Sequence, residues 1–351
     1  SKTDVDDVVR VDEKKGEIWF TAAGMFNPYF TQLCRAKLDG SGMKIVTDSR
    51  FHHDTNLSPD AKYFLDVEQK PDVAPRTVLR DASTGKELAE LAKSDVSKMD
   101  EAGFKKTELF SFTANDGKTQ CWGTLQFPSD FDANKKYPVL LNLYAGPESG
   151  GISPRFGLPS PQTDLGFLVV SVAGRGTTSR GKAFRDAVYG KLGIVEIDDQ
   201  ADGVKSLFNR PYVDGNRVGL QGTSYGGYAT IMGLLHRPDV FKVGCASSSV
   251  TDWRNYDTIY TERYMGLPWK EENEAGYDAG SALKLAGKLQ GRLMLYFGSS
   301  DNNVHPSNTY QLVTALEKAG LRYDMQVGPD REHTQMNSRT MWEYFLKYLK
   351  P

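Results

Sequence analysis

Gly222-Thr223-Ser224-Tyr225-Gly226-Gly227 stands between an apolar segment ending at Gln221 and an apolar helical segment starting near Ala229. A turn from strand to helix this tight leaves almost no room for side chains two residues before and two after its centre. It lifts the central hydroxyl above the sheet edge. Gly222 and Gly226 meet that demand, so the spacing marks Ser224 as a nucleophile. The helix behind it adds the positive end of its dipole, and the backbone N–H of Tyr225 points where an oxyanion would form.

A serine hydroxyl is a weak nucleophile and needs a base, and the base needs an acid to orient it. In a sheet of this type the acid follows a later strand and the histidine comes last. The apolar run Leu293 to Phe297 ends in Gly298-Ser299-Ser300-Asp301, which places Asp301 on a loop at the carboxyl edge and makes it the expected acid. Of five histidines, His52, His53 and His236 precede Asp301, and His305 follows it by four residues on the same loop. His333 follows the next strand and precedes the final helix, so it is the expected base. Ser224, Asp301 and His333 together read as an acyl-transfer triad that requires no metal and no cofactor. His52-His53-Asp54 lacks a third convergent ligand in sequence and is expected to be a solvated loop.

Elements that would hold these residues are legible on both sides. From Phe104 onward, short apolar segments at Tyr137–Tyr144, Phe167–Val172, Arg217–Gln221, Lys242–Ala246, Leu293–Phe297 and Tyr323–Val327 alternate with helical periodicity. Ile194, Ile197, Ala201, Val204 and Leu207 recur at helical spacing, Asn308 to Ala319 stops at Gly320, and a last helix spans about Ser338 to Leu349. This is an α/β pattern: a mostly parallel, doubly wound sheet of the α/β-hydrolase fold over residues 101–351. Residues 1–100 read differently, as short strands at 17–21, 32–36, 44–46, 58–66 and 77–81 with turns at Asp39-Gly40-Ser41-Gly42 and Ser83-Thr84-Gly85-Lys86. That is an antiparallel meander of propeller type. A propeller has about 4 to 8 blades, so these residues make up its last blades, the propeller is incomplete, and the expectation is that the rest lies upstream.

Composition excludes several classes of partner. A net charge of −2 without a long basic run gives no electrostatic attraction to nucleic acid or to an anionic membrane. No apolar stretch approaches the roughly 20 residues a membrane helix needs. The three cysteines, Cys34, Cys121 and Cys245, leave one unpaired in any scheme and lack zinc-ligand spacing, so buried thiols are expected.

The elbow with its Tyr228, the run Asp301-Asn302-Asn303-Val304-His305 and the run Tyr256-Asp257-Thr258-Ile259-Tyr260-Thr261-Glu262-Arg263-Tyr264-Met265-Gly266 resemble the dipeptidyl peptidase IV branch of the prolyl oligopeptidase family. Arg175-Gly176, Leu192-Gly193, Glu196 and Asp199-Gln200 extend the resemblance, which covers residue 104 to the C-terminus. It implies a serine peptidase that acts on peptides after proline or alanine and releases N-terminal dipeptides through an acyl-enzyme. It implies Tyr144 as a phenolic oxyanion donor beside the Tyr225 N–H, which suits a phenol at a strand's carboxyl end. It further implies a small pocket walled by Val250, Trp253, Tyr256 and Tyr260, with Asn303 holding a substrate carbonyl. A periplasmic or secreted location and room for a homodimer follow from the same resemblance.

Three departures stand out. No segment matches the acidic motif with which the family anchors a substrate amine, and Glu271-Glu272 is expected to be a solvated turn instead. Thr223 stands where Trp is usual, and Thr334 follows His333 where Gly is common. An esterase or acylaminoacyl peptidase on the same scaffold is the rival enzymatic reading, and a non-catalytic scaffold the third.

Overall fold

Short alternating segments separated by Gly- and Asp-containing turns fold, in a computed structural model that describes residues 4–24 and 27–350, into two four-stranded antiparallel sheets. The first comprises β1 (Val5–Asp12), β2 (Glu17–Ala23), β3 (Thr31–Lys37) and β4 (Lys44–Ile45). The second comprises β5 (His52–Leu57), β6 (Tyr63–Lys70), β7 (Val73–Asp81) and β8 (Glu87–Lys93). Each has the form of a propeller blade. Trp19, Leu33 and Val46 from the first pack with Phe64 and Ala82 from the second, so the apolar face of each sheet is covered by the other. β1, β5 and β8 carry little apolar periodicity, and the sequence expectation did not include them. A short helix, Ser97–Glu101, lies between these sheets and the third.

The third sheet has eight strands. They are β9 (Glu108–Thr113), β10 (Gln120–Gln126), β11 (Tyr137–Asn142), β12 (Leu168–Ala173), β13 (Val213–Thr223), β14 (Val243–Ser247), β15 (Arg292–Gly298) and β16 (Asp324–Gly328). Their spatial order is β9-β10-β12-β11-β13-β14-β15-β16; pairing is parallel from β12 to β16 and antiparallel where β9 and β10 join. All six apolar segments read from the sequence form these parallel strands. β9 and β10 mix polar and apolar residues and carry no continuous apolar run, so their sequence does not announce them.

A period of two sends alternate residues to opposite faces. Val139, Leu141, Val218, Leu220, Leu293 and Leu295 enter the core under the helices Val195–Lys205 and Tyr225–His236. Leu140, Val243, Cys245, Met294 and Tyr296 pack on the other face, with Phe345 and Leu349 of the helix Ser338–Leu349. The helix Ser307–Lys318 stops before Gly320, whose φ of 68° is the left-handed conformation a helix end favours. Cys34, Cys121 and Cys245 are buried free thiols, and burial pushes the Cys34 thiol up to about 11.

Strand order determines where a site can form. β12 and β13 lie on opposite sides of β11, so the loops after β11 and β13 diverge above adjacent strand ends, a topological switch point. Gln221 of β13 is in register with Asn142 of β11 and donates to its side-chain oxygen at 2.7 Å. Gly298 of β15 is likewise in register with Gly328 of β16. Every segment flagged for chemistry leaves the sheet at this one edge.

Candidate active site

Ser224 occupies the turn between β13 and the helix Tyr225–His236, with φ 63° and ψ −121°. The helix starts immediately after the serine, four residues earlier than the apolar pattern suggested. A positive φ costs a side-chain-bearing residue free energy, and it is kept where the surroundings over-determine it. Here a β-carbon on Gly222 would lie 2.5 Å from the Leu143 carbonyl oxygen, and one on Gly226 would lie 2.4 Å from it. Both positions therefore have to be glycine. The Ser224 N–H donates to the Ser247 carbonyl at 2.9 Å, which ties the turn to the end of β14.

Asp301 follows β15 and is 2% exposed. One of its oxygens, Oδ1, accepts the N–H groups of Asn303 at 3.0 Å and Val304 at 2.9 Å. The other, Oδ2, lies 2.8 Å from Nδ1 of His333, which leaves Nε2 as the free ring nitrogen. His333 is partly exposed in the loop between β16 and the last helix. Ser224 Oγ makes no hydrogen bond to it among the described residues, and such bonds are commonly long before a substrate is bound. His305 turns away, exposed, with its Nδ1 accepting the Ser307 N–H at 3.2 Å.

Tyr144 was expected to end a strand, but β11 stops at Asn142 and Tyr144 lies in the loop beyond it. The strand stops because the Leu143 carbonyl is packed over Gly222 and Gly226 and the chain then turns through Ala145 at φ 62°. The Tyr144 ring centroid is 6.0 Å from that of Tyr225, and burial of part of the ring raises the phenol's pKa, keeping it a proton donor at neutral pH. The loop is held further on by Glu148, whose N–H donates to the Gly176 carbonyl at 2.8 Å and whose carboxylate accepts the Tyr264 hydroxyl at 3.0 Å. The Tyr225 side chain points the other way, into the core, where its hydroxyl donates to Glu196 at 2.7 Å. Its backbone N–H, first in the helix, has no intrahelical acceptor.

The residues proposed for a side-chain pocket come together as an aromatic cluster. Trp253 stacks on Tyr260 with centroids 5.7 Å apart and meets Tyr225 at 5.3 Å, and Tyr256 meets Tyr260 edge-on at 5.5 Å. Val250 and Trp253 are each 1% exposed and lie beneath, while Tyr256 and Tyr260 are partly exposed. The Tyr256 hydroxyl donates to Oδ1 of Asn303 at 2.8 Å. This fixes the amide orientation and leaves the NH₂ end of Asn303 to donate.

Three readings need correction or completion. His52 and His53 form the start of β5 and are buried, not a solvated loop. His53 Nδ1 lies 2.8 Å from Asp66, and Glu68 completes a potential ligand cluster. Arg80 Nε lies 2.7 Å from Asp66 and Arg76 Nε 2.6 Å from Glu68, so guanidinium groups already supply the positive charge these carboxylates require. Glu271 and Glu272 open the helix Glu271–Ala279, where carboxylates favour the N-terminal dipole, instead of forming a turn. Glu196, which the sequence marks only as part of a motif, is fully buried, and burial pushes its carboxyl up to about 7. Ser247 and Ser248, which bond to the His333 loop, have no place in the sequence expectation. A run of three serines closing an apolar strand was the available signal.

Residues 154–350 match the prolyl oligopeptidase family and residues 1–75 the N-terminal region of dipeptidyl peptidase IV. Probable dipeptidyl-aminopeptidase B of Arthroderma gypseum is 36% identical over 335 residues, covering 92% of this chain and 36% of that protein. Dipeptidyl peptidase 8 of Homo sapiens is 42% identical over 236 residues, 65% of this chain and 26% of that protein. The crystal structure of Porphyromonas gingivalis dipeptidyl peptidase 4 superposes with a TM-score of 0.81 at 30% identity, covering 100% of this chain and 50% of that one. The chain thus spans about a quarter to a third of the curated relatives' length and half of the solved relative's.

Proposed function

The chain belongs to the prolyl oligopeptidase family, and from that premise we propose that it forms the catalytic part of a serine peptidase releasing dipeptides from peptide N-termini after proline or alanine. The observation that carries this reading is the Asp301–His333 pair at the sheet edge where the strained Ser224 turn also emerges. Ser224 attacks the carbonyl carbon of the scissile peptide bond. His333 takes its proton and returns it to the leaving amine, and Asp301 holds the imidazole tautomer and stabilises the imidazolium. The Tyr225 N–H and the Tyr144 phenol stabilise the oxyanion, and water then hydrolyses the acyl-enzyme by the same route.

The aromatic cluster supports a flat, small residue before the scissile bond. Tyr260 stacks on Trp253 and Tyr256 meets both rings edge-on, a partly exposed aromatic wall that suits a proline ring better than a long or charged side chain. Asn303, oriented by Tyr256, would donate to the substrate's backbone carbonyl.

The test is a comparison of substrates on the purified chain: Gly-Pro and Ala-Pro amides against p-nitrophenyl acetate and an acetylated peptide. Dipeptide release blocked by acetylating the substrate's amine supports the reading. Efficient cleavage of the acetylated peptide alone would favour an acylaminoacyl peptidase, and ester hydrolysis alone an esterase.

A further inference from the structure

The loop carrying His333, residues 329–337, crosses from β16 to the last helix without regular structure, so no sheet ladder or helix determines where the imidazole sits. Besides the Asp301 bond to the ring and the Ser300 N–H donated to the Arg331 carbonyl at 2.9 Å, its position depends on side chains that reach it from neighbouring strands. Ser248 Oγ donates to the Thr334 carbonyl at 2.8 Å, one residue beyond His333. Ser247 Oγ accepts the Met336 N–H at 3.0 Å, three residues beyond it. Tyr296 of β15 meets the same loop, its hydroxyl 3.1 Å from Thr334 Oγ1.

The Ser247–Met336 contact is buried, and the two contacts to Thr334 are partly buried. Ser247 is 2% exposed and Ser248 1%. Ser247 also offers its carbonyl to the Ser224 N–H at 2.9 Å, so a single residue bonds both the backbone of the nucleophile and the loop of the base. Ser248 adopts φ 46°, a conformation a side-chain-bearing residue keeps only where its surroundings hold it, and its own N–H donates to the Tyr296 carbonyl at 2.7 Å. Thr334 supplies both the carbonyl and the hydroxyl that the clamp grips; a glycine there would lack the second.

We propose that Ser247, Ser248 and Tyr296 are positioning residues that set His333 in register with Ser224. The proposal rests on the reading of Ser224, Asp301 and His333 as the reacting set. None of the three positioning residues needs to touch substrate. Proton transfer requires the imidazole to be placed within a fraction of an ångström, and a displacement of about 1 Å costs on the order of a hundredfold.

Ser248→Ala deletes one oxygen, and Tyr296→Phe deletes another that reaches the same residue, Thr334. Both are made in the whole chain, alone and together with His333→Ala, and kcat and KM for p-nitrophenyl acetate are measured beside the rate of fluorophosphonate labelling and the melting temperature. Ser248→Ala is expected to lower kcat about tenfold to a hundredfold with KM within about twofold, and Tyr296→Phe to lower it less. With His333 already replaced, neither change should lower the residual rate further, because no imidazole remains to be misplaced. A folded Ser248→Ala chain with unchanged kcat overturns the proposal, as does an equal loss with and without His333. If Ser248→Ala does not fold, Tyr296→Phe completes the same comparison. Should His333→Ala by itself retain full kcat, the reading of the reacting set fails, an outcome distinct from failure of the clamp alone.

Discussion

His333 Nδ1 stands 2.8 Å from Asp301 Oδ2, and the opposite carboxylate oxygen is held by two backbone N–H groups of its own loop. The carboxylate is therefore oriented by its own loop, independently of the histidine. Asp301→Asn keeps the shape and the backbone bonds but presents an NH₂ group to Nδ1, which forces the imidazole into the wrong tautomer. kcat should fall by about 10⁴ with an unchanged melting temperature, the loss known for the equivalent change in another serine protease. A loss below tenfold would remove Asp301 from the reacting set.

Ser224→Ala and His333→Ala should be equally severe, each lowering kcat by on the order of 10⁶, because nucleophile and base act as one unit. His305→Ala should cost less than about tenfold, since that ring is exposed and bonded to Ser307. Steady-state rates for the three variants decide the matter, and reversed severities for the two histidines would reassign the base.

Tyr144→Phe should lower kcat by about 10² to 10³ with little change in KM, the amount associated with one oxyanion donor. The ring is half exposed, so stability should hold. Wild-type kcat in this variant would mean that backbone groups alone form the oxyanion hole.

Glu196 supplies a test by pH. Burial raises its carboxyl from 4.5 to about 7, so between those values the folded chain holds a proton that the unfolded chain has released. Stability from this group is complete below about pH 4.5 and is lost as pH rises through about 7, a change on the order of 3 kcal/mol. Glu196→Gln preserves an acceptor for the Tyr225 hydroxyl and removes the titration. Its melting temperature should vary less between pH 4.5 and pH 8 than that of the parent chain. An unchanged slope would mean that other groups carry the pH dependence.

Much of the architecture could be read directly from the chain, because buried parallel strands and amphipathic helices impose periodicities that local residues must obey. Leu293–Phe297 had to be a strand wherever it lay, and the helix ahead of Gly320 had to stop there. Tyr144 shows the limit: its apolar neighbours continue the pattern, yet the strand ends at Asn142 because a carbonyl from this chain crowds two glycines some eighty residues away. His53 shows it too, since neither its burial nor its Arg80-compensated Asp66 partner leaves a mark in the local sequence.

For the site, residue types and order along the chain determined the candidates: a serine flanked by the glycines its turn requires, then an acid and a histidine after successive later strands. Those constraints are local or topological, and a one-dimensional sequence carries them. Distances between loops are not local. Only the folded sheet decided that Asp301 and His333 meet at 2.8 Å, that Tyr256 turns Asn303, and that Ser247 joins the Ser224 turn to the His333 loop. Hydrogen bonds act over a few ångströms between residues tens of positions apart, and parallel strands ending at one edge bring those residues within that range.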